Sequence, residues 1–213
     1  MKQRTGATPA ASPRNRLLDA ADELFSRDGI ARTSVDQVLA RAQVAPGTLY
    51  AHFGGKDGLI VAALRRRLDR WDEAWQGAVD AAASPADKLL ALFGAVSAYR
   101  ERYTPGRGCA FLATRTELPA PDHPAQEVIA AESTLLRTRL NHLAATVTAD
   151  RPEALARDVL LVYDGAMAGL LRGSEPDPLR HGRAVASRLI QAAVGAEWAP
   201  PDQGATLGLR LKS

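Results

Sequence analysis

Apolar positions along this chain recur at helical spacing almost throughout. From Arg14 onward, Leu17, Leu18, Ala21, Leu24 and Phe25 make one stripe, with Asp19, Asp22, Glu23 and Arg27 outside it, and Gly29 closes the segment. In TSVDQVLARA, Ser34 precedes Gln37 by three residues, the spacing of a capping box, and Asp36 sits in the first turn, where a helix dipole favours an acid. These features predict a short helix from about Val35 to Ala42 that buries Val38 and Leu39. Pro46 follows, its fixed φ and missing N–H suited to the first turn of another helix. Leu49 and Phe53 stack four residues apart on that helix, and Gly54-Gly55 stops it. A fourth helix is predicted from Lys56-Asp57. It is apolar through Leu59, Ile60, Ala63, Leu64, Leu68, Trp71 and Trp75, carries Arg65, Arg66, Arg67 and Arg70 on an exposed side, and meets no break before Ser84-Pro85.

Beyond Pro85 each long segment between Pro/Gly punctuation is again helical, at about 85–103, 109–118, 124–149, 152–172 and 178–196. Asp150-Arg151-Pro152-Glu153 supplies the fourth of these with a cap, a Pro and an early acid. Residues with β-branched enrichment are confined to short isolated stretches, so the predicted class is all-α with about nine helices. The expected organisation is an arm at 1–13, a three-helix unit at 14–56, a larger helical domain at 57–198 and a disordered tail at 199–213. Within 152–172, LLVYDGAMAGLL has Asp164 as its one charge in twelve residues. A helix apolar on all sides is buried on all sides, either at the centre of one subunit or against a second copy, and a two-fold pairing with 178–196 would make a four-helix bundle.

Charge changes this picture at the N-terminal end. The 213-residue chain carries a net +3, and the excess lies entirely in residues 1–56, which hold eight Lys/Arg against five acids, whereas 57–213 hold nineteen of each. The asymmetry fits an anionic partner for the N-terminal unit or a basic solvated tail. The single cysteine, Cys109, excludes an intramolecular disulfide and a CxxC-type zinc site. No window approaches a membrane span and the first thirteen residues lack an apolar signal core, so a cytoplasmic protein is expected. His52, His123, His142 and His181 are scattered, and neither HExxH, GxSxG nor a Gly-rich phosphate loop occurs, so neither catalysis nor a metal or cofactor is expected.

Two short helices joined by a tight turn describe a helix-turn-helix, whose second helix enters the major groove by its N-terminus. Here that end is Ala45-Pro46-Gly47, small enough for close approach to bases, while Thr48, Tyr50, His52 and Lys56 offer donors suited to phosphates. Thr33 and Ser34 begin the preceding helix, where free N–H groups make a second phosphate-binding end. The segment from Arg16 to Leu64 closely resembles the DNA-binding domain of the TetR family of bacterial transcriptional regulators. Shared features are the first-helix pattern with Phe25 and Gly29, the Thr-Ser helix start, V-x-x-G-T-L-Y-x-x-F at 44–53, and Lys56. The GCAFL…TELP stretch at 108–119 is similar to some members, and the remainder shares only its helical character.

The resemblance implies a homodimer on a palindromic duplex operator, with a C-terminal domain that binds a small molecule and releases DNA, usually relieving repression. Carried over by position, Thr33, Ser34, Thr48, Tyr50, His52 and Lys56 would touch phosphates, and Gln43, Ala45, Pro46 and Gly47 would lie near bases. Gln43 stands where the family usually has Gly, and a left-handed turn residue other than Gly costs about 1–2 kcal/mol. For the small molecule, helix-lining aromatics and polar anchors single out Tyr99, Phe111, Arg115, Tyr163, Asp164 and Met167. Asp164, a carboxylate on an apolar helix, needs a partner. The alternative function is a basic helical module that meets a membrane surface or a protein through its Arg65–Arg70 face.

Overall fold

A computed structural model describes residues 12–103, 109–118, 120–173 and 175–195. Most of the arm at 1–13, the tail at 199–213, and Gly108 and Pro119 of the GCAFL…TELP stretch lie outside the described residues. Among the described residues the chain is all-α, with nine helices and no strand: α1 (Pro13–Asp28), α2 (Val35–Ala42), α3 (Pro46–Phe53), α4 (Lys56–Ala81), α5 (Pro85–Tyr103), α6 (Ala110–Glu117), α7 (Ala125–Val147), α8 (Pro152–Arg172) and α9 (Pro178–Val194).

Local chemistry sets the early boundaries. Ser12 caps α1 by accepting the N–H of Asn15 at 3.2 Å, with Pro13 in the first turn. The Ser34–Gln37 capping box forms in both directions, at 3.2 and 2.7 Å. Gly54, at φ 71°, ends α3. At α8 the expected cap does not form. Arg151, not Asp150, is the capping residue; it sits at φ 50° with no side-chain bond to the helix start.

Three hydrophobic clusters run through the molecule. Leu17, Leu18, Leu24, Val38, Leu39 and Leu49 close the core of α1–α3, and Leu59 and Ala63 of α4 complete it. Trp71, Trp75 and Val79, two turns and more further along α4, belong to the large core shared with α5, α7, α8 and α9. Between them, Ile30, Ile60, Leu64, Phe111, Val128 and Ile129 make a seam joining the α1–α2 turn to α4, α6 and α7. The three-helix unit and the larger domain therefore share α4.

The arginines of α4 are committed to this junction. Arg66 bonds Asp19 at 2.8 Å and Asp22 at 2.6 Å, Arg70 bonds Asp22 at 3.0 Å, and Arg67 donates to Ser26 at 2.8 Å. The Arg66 and Arg67 side chains keep only 19% and 11% of their surface, whereas Arg65 remains exposed. This corrects the exposed Arg65–Arg70 face expected from periodicity and removes the basis for a membrane-binding module there. Of the two expectations for the apolar helix α8, burial at the centre of one subunit does not hold, since Leu161 is 72% exposed in the single chain. No helix of the described residues is long and apolar enough to cross a membrane.

Two positions around α3 are set by backbone geometry. Gln43 adopts φ 53°, ψ 52° between α2 and α3, the left-handed turn that the sequence located without a Gly. At the far end, a Cβ on Gly58 of α4 would sit 1.8 Å from the carbonyl oxygen of Phe53, so only Gly lets α4 pack against the end of α3. Replacing Gln43→Gly removes the side-chain clash of the left-handed turn and should raise stability by up to about 1 kcal/mol, read as a higher urea midpoint at unchanged slope. Gly58→Ala should lower stability by about 2–3 kcal/mol by forcing the α3–α4 junction open.

Candidate nucleic-acid interface and adjoining cavity

The recognition element is built from opposed stripes on α3. Leu49 is fully buried and Phe53 half-buried, fixing one side against α1, α2 and α4. The opposite stripe, Gly47, Tyr50, Ala51 and Gly54, faces out, and Tyr50 is 59% exposed. Gln43, Ala45, Pro46, Gly47, Tyr50 and His52 are exposed together, with Thr48 and Lys56 half-buried beside them. A large aromatic carrying a hydroxyl, held outward by nothing but its helix, is well placed to donate to a phosphate. Arg14, which periodicity alone did not single out, has its guanidinium 5.6 Å from the centre of the Phe53 ring and adds a cation at this edge.

The start of α2 divides the two residues assigned to it. Ser34 is exposed; its oxygen accepts the Gln37 N–H, leaving the hydroxyl proton to donate outward. Thr33 is 1% exposed and its hydroxyl donates to the Gly29 carbonyl at 2.7 Å. Its side chain thus locks the α1–α2 turn and offers no hydroxyl to a phosphate.

A cavity opens in the larger domain where α4, α5, α6, α7 and α8 converge. Two adjoining chambers, of about 40 and 240 Å³, share Cys109, Glu132, Tyr163 and Met167. Tyr99 and Phe111 line the first and Asp164 the second, so five of the six residues expected at a ligand site come together. The exception is Arg115, which is exposed on α6, lines neither chamber and donates to Gln126 Oε1 at 3.4 Å. Sequence reasoning missed Glu132. Its place in the apolar stripe of α7, four residues before Leu136 and three after Ile129, was the available signal.

Glu132 is 7% exposed and forms no ion pair among the described residues. Burial first, and the nearby Asp164 carboxylate second, push its carboxyl up to about 7, against a smaller opposing pull from the Ser133 hydroxyl. Burial likewise raises Asp164, raises Tyr99 to about 12, and raises Cys109 to about 11, so Cys109 is a protonated thiol at neutral pH and not a nucleophile. Among the described residues no group of three His, Cys, Asp or Glu side chains could hold a metal ion.

A direct link ties this cavity to the recognition element. Helix α6 starts beside Cys109 and Phe111 at the cavity and ends at Glu117, whose Oε2 accepts the Ala31 N–H of the α1–α2 turn at 2.9 Å. Glu132 supplies a separate thermodynamic handle. Folding raises its pKa from 4.5, so the native state holds that proton more tightly than the unfolded chain, and stability falls as pH rises from about 4.5 to about 7. Glu132→Gln should therefore be more stable than wild type above pH 7, by about 2–3 kcal/mol, with the gap closing toward pH 4.5 in denaturant titrations.

Comparison with known proteins agrees with this geometry. Residues 17–63 match the family model described as bacterial regulatory proteins, tetR family. The chain is 28% identical over 163 residues to the HTH-type transcriptional regulator YjdC of Escherichia coli (strain K12), covering 74% of this chain and 83% of that one. It superposes on SCO4454, a TetR-family transcriptional regulator from Streptomyces coelicolor, with a TM-score of 0.74 and 28% identity, over 86% of this chain and 94% of that one. The sav143 protein of Streptomyces avermitilis gives 0.72 and 31% identity, over 86% of this chain and 98% of that one. With a helix-turn-helix at residues 35–53, an outward-facing α3, and likeness that runs through both domains, the chain belongs to the TetR family of bacterial transcriptional regulators.

Proposed function

We propose that the chain acts as a homodimeric repressor that grips a palindromic operator through α2 and α3 and is released when a small molecule enters the cavity between α5, α6, α7 and α8. The observation that carries the DNA half is the exposed stripe Gly47, Tyr50 and Ala51 on a helix whose other side is locked by Leu49. Small residues admit the base edges, and Ser34, Thr48, Tyr50, His52 and Lys56 bond the flanking phosphates. Gln43, Ala45 and Pro46 lie at the leading edge of the helix. The net positive charge of residues 1–56 supplies the salt-dependent attraction that any duplex binder needs.

The dimer is supported by what one chain leaves uncovered. Leu161 on α8 and Val194 on α9 are 72% and 60% exposed, and a Cβ on Gly165 would meet nothing within 4 Å beyond its own stretch of helix. Pairing of α8 and α9 with their two-fold copies buries these positions in a four-helix bundle. Two recognition helices then meet successive major grooves about 34 Å apart. Effector binding shifts the balance between a DNA-binding and a released arrangement, limited by its differential affinity for the two.

Tyr50 provides the clean test, because its exposure means that truncation costs the fold little. On a duplex obtained by binding-site selection, Tyr50→Ala should weaken binding about 10- to 100-fold, from one lost phosphate hydrogen bond in each protomer, with an unchanged melting temperature. Wild-type affinity in that variant, measured by fluorescence anisotropy across several salt concentrations, contradicts the assignment.

A further inference from the structure

Two carboxylates from neighbouring helices, Glu132 of α7 and Asp164 of α8, face one aromatic-lined space, and neither forms an ion pair within the described residues. From this juxtaposition we infer that the effector is an organic cation with an apolar body, its ammonium or amidinium seated between Glu132 and Asp164 and its body against Tyr163, Phe111 and Met167. The inference rests on the reading of this cavity as the effector site.

A desolvated carboxylate such as Glu132, repelled by a second one nearby, is costly unless a cation joins them. Among the described residues no arginine pairs with either carboxylate. Arg67 lines the α4 wall but is spent on Ser26 and faces Asp22. Arg100 enters from α5, where Tyr163 and Cys109 act on it. Arg137 is exposed at the mouth, within reach of Thr134. Among the described residues the charge acting on Glu132 is that of Asp164, and an incoming cation would turn that repulsion into attraction. Tyr163 lines the chamber that holds both carboxylates, and Phe111 lines the adjoining one, so aromatic rings border the site. A neutral ligand leaves the carboxylates unpaired, and an anion adds a third negative charge.

Three probes of one shape separate these cases: phenethylamine, phenethyl alcohol and 3-phenylpropanoate. They are titrated into the full-length protein at pH 8 and followed by calorimetry and by the fluorescence of Trp71, which lines the cavity. Phenethylamine should bind at least about tenfold more tightly than the alcohol, and the propanoate should bind more weakly than either. Glu132→Gln should reduce amine binding about tenfold while leaving the alcohol unchanged. Asp164→Asn, at an exposed position where folding is not at risk, should produce a smaller loss in the same direction. Equal binding of amine and alcohol, preference for the propanoate, binding of none of the three at millimolar concentration, or an amine preference unaltered in both variants overturns the inference. An amine that binds as expected yet leaves operator affinity unchanged contradicts the release mechanism instead and leaves the cation site standing.

Discussion

One helix belongs to two cores, and the rest of the molecule is arranged around that fact. The first turns of α4 complete the packing of α1–α3 through Leu59 and Ala63, and its later turns anchor the large domain through Trp71, Trp75 and Val79. A continuous helix of 26 residues transmits rotation along its length because its backbone hydrogen bonds leave no joint. At its start Gly58 presses on the last carbonyl of the recognition helix, and along its middle Asp22 collects Arg66 and Arg70 from across the junction. Any change in how α4 leans is therefore a change in where α3 points.

Helix α6 supplies the second connection, and it is of a different kind. Its start lies at the cavity and its end holds the α1–α2 turn by a single carboxylate-to-amide hydrogen bond from Glu117. Such a bond contributes modestly, about 1.5–3 kcal/mol for a charged acceptor. Together α4 and α6 give the cavity two routes to the DNA-binding unit: a stiff one through packing and a breakable one through Glu117.

Much of this was readable in the residues themselves. Ser34 with Gln37, Pro46, and Gly54-Gly55 marked α2 and α3 because capping and backbone restriction are local effects. Gln43 was singled out because it stands where the resembling family usually has Gly, and its φ of 53° shows that the left-handed turn is kept and the strain accepted. Long-range pairing was not readable. The arginines of α4 looked solvated because periodicity places a residue on a face without saying what lies opposite, and Asp22 lies opposite. Thr33 looked like a phosphate ligand for the same reason, although its hydroxyl is turned inward to Gly29. Glu132 was hidden because one acid among apolar positions reads as a solvated edge until the packing of α7 on α8 encloses it.

The central claim is that two copies present their recognition helices at a spacing that DNA selects through α4. Spin labels at Ala40→Cys, an exposed position on α2, in a Cys109→Ser background, measure the distance between the two DNA-binding units by pulsed dipolar spectroscopy. The account predicts a dipolar signal in the free protein, from the proposed dimer formed without DNA, and its narrowing to a single distance on the selected duplex. Absence of a dipolar signal in both states, or one distance distribution unaltered by the duplex, would contradict it.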